Sequence, residues 1–179
     1  MQNDFAFKRI SSDYELRPFD CGDADLNDFF RNDAKSYLNQ LLAVTYIIEN
    51  ESETVAFFSV LNDTIINKDL NTDKIISNQL NRNIPNDKRR PSYPAVKIGR
   101  FAVHENYQRQ KNGSKIIDFI KAFFTINNKT GCRFITVDAY KKAIDFYKKN
   151  GFRLLTKQTK QDEKEDTILM YFDLKTFVR

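Results

Sequence analysis

The densest run of chemically capable residues in the chain is Gln108-Arg109-Gln110-Lys111-Asn112-Gly113-Ser114-Lys115. It follows the strand-like block Val96 to Val103 and precedes Ile116, Ile117, Ile120, Phe123 and Phe124, which recur at helical spacing. A polar loop that ends a strand and opens a helix exposes unpaired backbone N–H groups at the positive end of the helix dipole, which suits a pyrophosphate. Arg109, Lys111 and Lys115 add positive charge, and Gly113 lets the backbone approach a phosphate with no Cβ in the way. Solvated strand-to-helix loops also carry a glycine and a few cations, so the loop taken alone reads as an anion cradle or as an ordinary surface connection.

Other candidates for proton chemistry are few. His104 and Glu105 follow the strand directly, and Asp138 ends a later one. A lone loop histidine reads more readily as a solvated side chain than as a catalyst, and Asp138 reads as structural or substrate-facing, so no general base is assigned. Tyr147 lies one turn beyond Ala143 and Ile144, where its residue type alone suggests packing of an amphipathic helix. Cys21 and Cys132 have no CxxC partner and no histidine cluster, which points to buried free thiols and to no metal.

The elements that must hold these residues can be read along the chain. An extended start around Phe5 to Ile10 leads to the turn and cap residues Asp20-Cys21-Gly22-Asp23. Leu26, Phe29, Phe30, Ala34, Tyr37 and Leu38 then give one helix with one apolar stripe. Leu42 to Ile48 and Thr54 to Leu61 predict a hairpin around the polar turn Glu49 to Glu53. From Asn62 to Pro94 the composition turns polar, with a helix marked by Ile75, Ile76 and Leu80 and an irregular basic connection closed by prolines 85, 91 and 94. After the central strand, loop and helix come a strand from Arg133 to Val137 and a helix from Tyr140 to Asn150 stopped by Gly151. Two strands, Phe152 to Leu155 and Thr167 to Leu174, complete the order. This predicts an α/β fold with a mixed sheet and helices on both faces.

A chain of 179 residues with 41% hydrophobic content reads as one domain, 1–179, that can bury a core unaided. It has no apolar run of about eighteen residues and no signal-like N-terminus, so it reads as soluble and cytoplasmic, with no membrane partner. A net charge of +5 favours polyanions, although most cations are interspersed with acids as on a solvated face.

Gln108-Arg109-Gln110-Lys111-Asn112-Gly113 resembles the Q/R-x-x-G-x-G/A acyl-CoA loop of the GCN5-related N-acetyltransferases (GNAT), and it follows a Phe-Ala-Val strand end as that loop does. Ala143-Ile144-Asp145-Phe146-Tyr147-Lys148-Lys149-Asn150-Gly151-Phe152 resembles the A-x-x-F-Y-x-K-x-G-F signature near the end of the same domain. The resemblance covers most of the chain and implies a mainly antiparallel central sheet. It departs at Lys111, which stands where the first glycine is usual; a lysine reaches positive φ less readily than glycine, so the loop is expected to sit slightly differently around a pyrophosphate.

The resemblance implies an acetyl-CoA-dependent N-acetyltransferase in which a primary amine attacks the thioester directly through a tetrahedral intermediate. Backbone groups of Phe101 and Val103 would partner the pantetheine arm and the thioester carbonyl. Gln108, Arg109, Gln110, Lys111, Asn112, Gly113 and Ser114 would hold the pyrophosphate, with Tyr147 as the acid that protonates the departing thiolate. Phe19-Asp20-Cys21-Gly22, Leu26-Asn27-Asp28-Phe29-Phe30, Gly99 to Val103 and Val137-Asp138-Ala139 are similar to the subgroup that includes acetyltransferase toxins of toxin–antitoxin pairs. That similarity implies aminoacyl-tRNA as acceptor and an antitoxin protein as partner. Lys88-Arg89-Arg90 could touch RNA phosphates or be a solvated loop. A small amine, polyamine or peptide acceptor stays open, as does a non-catalytic CoA-sensing or RNA-binding module. Edge strands of this fold pair between subunits, so a homodimer is expected.

Overall fold

The computed structural model describes residues 5–70, 76, 78, 85, 91–128, 130–155 and 166–178. Seven strands lie in one sheet: β1 (Ala6–Arg9), β2 (Val44–Glu49), β3 (Thr54–Ile66), β4 (Ser92–Val103), β5 (Phe134–Tyr140), β6 (Arg153–Leu154) and β7 (Thr167–Asp173), in the order β1-β2-β3-β4-β5-β7-β6. Pairs β1–β2, β2–β3, β5–β7 and β6–β7 are antiparallel, so the expected mixed α/β fold with a mainly antiparallel sheet is present. Helices are α1 (Ala24–Asp28), α2 (Ala34–Asn39), α3 (Asn67–Leu70), α4 (Asn112–Thr125) and α5 (Ile144–Lys149). No helix among the described residues is long and apolar enough to cross a membrane. The described residues cluster into two compact units, Met1–Leu61 with Ile98–Ile117, and Asn62–Lys97 with Asp118–Arg179.

The first unit is built on a hairpin. β2 pairs with β3 from Val44↔Val60 to Ile48↔Ala56, and the register shifts between Ile48 and Glu49 as the chain enters the Asn50–Glu53 turn. Ile10, Phe19, Phe29, Phe30, Ile47, Phe57 and Ala102 form its core, with the Phe30 and Phe57 rings stacked at 4.8 Å. Asp23 caps α1 by accepting from the Leu26 N–H at 3.3 Å, as the cap residues predicted. The single helix expected from Leu26 to Leu38 is interrupted by a π-helical turn, Phe29–Asp33, in which the Ala34 N–H reaches back to the Phe29 carbonyl. That wider turn accommodates two consecutive buried phenylalanines, which an apolar count at helical spacing does not reveal. At the end of β2 the buried Glu49 accepts from Lys8 at 2.6 Å and from the Tyr14 hydroxyl, with Arg17 at 3.6 Å.

In the second unit Ile65, Leu70, Ile76, Tyr93, Ala95, Phe134, Leu155 and Tyr171 form the core. β3 runs five residues past the expected end at Leu61, because Asn62-Asp63-Thr64-Ile65 continues the strand alternation and Ile65 is buried. β4 starts earlier than Val96 and carries Pro94, whose carbonyl accepts from the Arg133 N–H at 2.9 Å. Arg133 also grips Asp173 through two bonds of 2.6 and 2.8 Å. The helix marked by Ile75 and Leu80 and the Lys88-Arg89-Arg90 run lie outside the described residues, apart from helical, buried Ile76 and helical, exposed Asn78.

Candidate functional site

β4 ends at Val103, a 3-10 turn spans Glu105–Tyr107, and α4 begins at Asn112. Between them the backbone is shaped by side-chain amides that consume its carbonyl oxygens. Gln108 Nε2 donates to the carbonyls of Val103 at 2.8 Å and Cys21 at 2.9 Å. Gln110 Nε2 donates to the Asn106 carbonyl at 3.0 Å, and Asn112 Nδ2 to the Tyr107 carbonyl at 2.9 Å. The Glu105 N–H donates to the Asp20 carbonyl at 2.9 Å, so the turn at residues 20–21 is a second support for the loop.

The N–H groups have the opposite fate. Among the described residues, the amides of 109–114 donate to no acceptor, and the first in register with the helix is Lys115, which reaches Lys111 at 3.1 Å. Arg109 and Lys111 both adopt left-handed backbone, with φ of 60° and 62°. Lys111 therefore holds positive φ, a conformation that costs a lysine more than a glycine. The cost is about 1–2 kcal/mol for each non-glycine residue held there. Gly113 instead lies inside the first turn of α4. Six consecutive free amides, two adjoining cations and a helix dipole form a donor set that fits a pyrophosphate. No acidic residue stands in the first turn of α4 to oppose an anion.

His104 is buried, 7% exposed, which overturns its reading as a solvated loop side chain. Its Nδ1 accepts from the Asn106 N–H at 3.2 Å and its Nε2 lies 3.3 Å from Glu53 Oε2, so both ring nitrogens are engaged. Glu53 Oε1 accepts from the Tyr107 hydroxyl at 2.9 Å, and that hydroxyl accepts from Asn50 Nδ2 at 2.8 Å. The bond to Glu53, helped by burial, pushes the Tyr107 phenol upward, so it stays a donor. This network was hidden in sequence: Asn50 and Glu53 read only as a polar turn. Glu105 is exposed, and Asp138 is paired with Lys97.

Phe101 and Val103 lie on β4 in the same unit as the loop, with one lone pair of the Val103 carbonyl already taken by Gln108. Tyr147 belongs to the second unit, on α5. Its ring is 6% exposed and meets Phe146 at 5.2 Å and Phe152 at 5.3 Å, both edge to face. Burial pushes the phenol well above its ordinary value of 10.0. The glycine of the signature is required locally: Gly151 has φ of 81°, and a Cβ there would lie 3.0 Å from Phe172. The F-Y-x-K-x-G-F segment is thus a helix ending that clamps the tyrosine ring, with the Phe152 N–H donating to the Tyr147 carbonyl at 3.0 Å.

Comparison with known proteins gives a consistent picture. Residues 43–154, more than half of the chain, match the family described as acetyltransferase (GNAT) domain. No curated protein matches the chain. Among solved structures, AtaT complexed with acetyl-methionyl-tRNAfMet has a TM-score of 0.78 at 20% identity, covering 97% of this chain and 97% of that one. A tyrosine-to-phenylalanine variant of KacT has a TM-score of 0.76 at 18% identity, covering 96% of each chain. A bacterial toxin has a TM-score of 0.76 at 15% identity, covering 98% of this chain and 94% of that one. At these identities the three likenesses establish the fold.

Proposed function

We infer that this chain, which belongs to the GNAT family of acetyl-CoA-dependent acetyltransferases, moves an acetyl group to the α-amino group of an aminoacyl-tRNA. The observation that carries the cofactor half of this reading is the run of unpaired amides at 109–114, braced from below by Gln108, Gln110 and Asn112. In this reading those amides, with Arg109 and Lys111, hold the pyrophosphate of acetyl-CoA, and backbone groups of Phe101 and Val103 align the pantetheine arm. Acetyl-CoA supplies the activated acyl group. The amine, neutral at the moment of attack, adds to the thioester carbonyl to give a tetrahedral intermediate, whose nitrogen gives its extra proton to water as the C–S bond breaks and the thiolate leaves; the phenol that protonates the sulfur is then reprotonated from solvent. Tyr147 is the proton source for that sulfur. Burial keeps its phenol intact through the neutral range, so the proton is still present when negative charge develops on the leaving group.

The acceptor half is supported by two considerations. AtaT, which shares the fold, has been solved with acetyl-methionyl-tRNAfMet, and a net charge of +5 suits a polyanionic acceptor. By the same likeness a cognate antitoxin protein is the proposed partner, since AtaT has also been solved with the antitoxin AtaR. A non-catalytic CoA-binding module is the alternative reading; the catalytic one is favoured by the family match over residues 43–154. Thiol release from acetyl-CoA, followed with charged tRNA, a polyamine and a short peptide as acceptors, tests the reading. Turnover with charged tRNA that Tyr147→Phe lowers about a hundredfold or more is expected; turnover only with the polyamine or peptide would sink the tRNA assignment while leaving the acetyltransferase.

A further inference from the structure

We propose that Glu53 is a positioning residue for acetyl-CoA: from the β2–β3 turn its carboxylate holds His104 and Tyr107, and through them sets the shape of the 108–114 cradle. This rests on reading that segment as the pyrophosphate site.

The two carboxylate oxygens are used separately, Oε1 by the Tyr107 hydroxyl at 2.9 Å and Oε2 by His104 Nε2 at 3.3 Å. Because His104 Nδ1 accepts from the Asn106 N–H, a neutral imidazole carries its hydrogen on Nε2, the nitrogen 3.3 Å from Glu53 Oε2. The ring therefore has one tautomer and one orientation, and Asn106 is fixed by it. Asn106 and Tyr107 are the residues whose carbonyls receive Gln110 and Asn112. Two of the three amide braces of the loop thus end on residues that Glu53 holds, and the third, Gln108, ends on Val103 and Cys21. Glu53 is itself fixed, since its N–H donates to Asn50 Oδ1 at 2.9 Å and the Asn50 amide reaches the same tyrosine hydroxyl. Phe19 closes the other side of the imidazole, edge to face at 5.8 Å. Without the carboxylate, the Tyr107 O–H loses its acceptor and the buried imidazole loses its polar neighbour, and the 3-10 turn that launches the loop loosens.

A residue that only stabilised the fold would alter unfolding without separating cofactor affinity from turnover. Calorimetric titration of acetyl-CoA and steady-state kinetics on the full chain make that separation. Glu53→Ala is expected to weaken acetyl-CoA binding about tenfold or more, the loss typical of a broken charged hydrogen bond, while kcat at saturating acetyl-CoA changes less than about twofold. Glu53→Gln, which keeps one acceptor oxygen, should recover part of the affinity. Tyr107→Phe keeps the ring, removes only the hydroxyl, and serves if Glu53→Ala fails to fold; its expected loss is about threefold to tenfold. Hydrogen exchange at Asn106, Tyr107, Gln108 and Lys115, whose amides are hydrogen-bonded, should quicken in each variant in step with the lost affinity. If wild type binds acetyl-CoA and both Glu53→Gln and Tyr107→Phe bind it equally well, the inference is wrong and the cradle stands. A folded wild type that binds no acetyl-CoA overturns the cradle and this role together.

Discussion

The side-chain amide of Gln108 reaches back 2.8 Å to the carbonyl of Val103, tying the first residue of the loop to the last residue of β4. Its second bond, to the Cys21 carbonyl, joins the loop to the turn before α1. Gln108→Ala removes both at about 1 kcal/mol each. Acetyl-CoA affinity should fall about tenfold by calorimetry, since the amides above are no longer held. Gln108→Glu should be worse than alanine, because a carboxylate would face two carbonyl oxygens. Unchanged affinity in both variants would show that the brace is idle.

Lys111 combines a charge with a strained backbone, and substitution separates the two. Lys111→Gly keeps left-handed φ without the steric cost and deletes the charge, so thermal stability should hold or rise by up to about 1 kcal/mol while acetyl-CoA affinity falls. Lys111→Val, β-branched and intolerant of positive φ, should lose both stability and affinity. Equal melting temperatures for the glycine and valine variants would refute the strained geometry.

Tyr147→Phe should leave acetyl-CoA affinity intact and lower kcat by about a hundredfold or more, the usual weight of a general acid. The raised phenol pKa has a stability consequence too. A group whose folded pKa lies above its unfolded value contributes fully below the unfolded one, and that contribution is lost as pH rises through the folded value. Wild type should therefore lose stability above about pH 10 in a way that the phenylalanine variant does not, as denaturant titrations at successive pH values would reveal.

Glu49 predicts the acid side. Burial alone would raise its pKa, but Lys8, Tyr14 and Arg17 outweigh it and hold the carboxyl below its ordinary 4.5. Its contribution is present above that value and fades as pH falls through the folded pKa. Glu49→Gln should cost on the order of 2 kcal/mol at neutral pH, with the deficit shrinking below pH 4. A deficit that stays constant down to pH 3 would contradict the assignment.

Much of this was legible in sequence, and for identifiable reasons. Strand alternation and helical spacing located the hairpin and the segment from β4 into α4, because burial enforces those periods. Gly151 was readable as a helix stop because only glycine tolerates its φ beside Phe172. The π-helical turn was not readable, since Phe29-Phe30 satisfies an ordinary helical stripe equally well. Nor was the buried His104: its partner Glu53 is distant in sequence, and a one-dimensional pattern cannot register a pair made by folding. The positive φ of Lys111 was not legible either, because a lysine in a sequence does not signal left-handed backbone.

The residues that shape the loop and those that charge it are different. Gln108, Gln110 and Asn112 carry no formal charge, whereas Arg109 and Lys111 do. Rising ionic strength should therefore erode the long-range attraction of an anion while leaving the geometry that receives it unaltered. Salt then slows capture and leaves the receiving surface fully formed for whatever arrives.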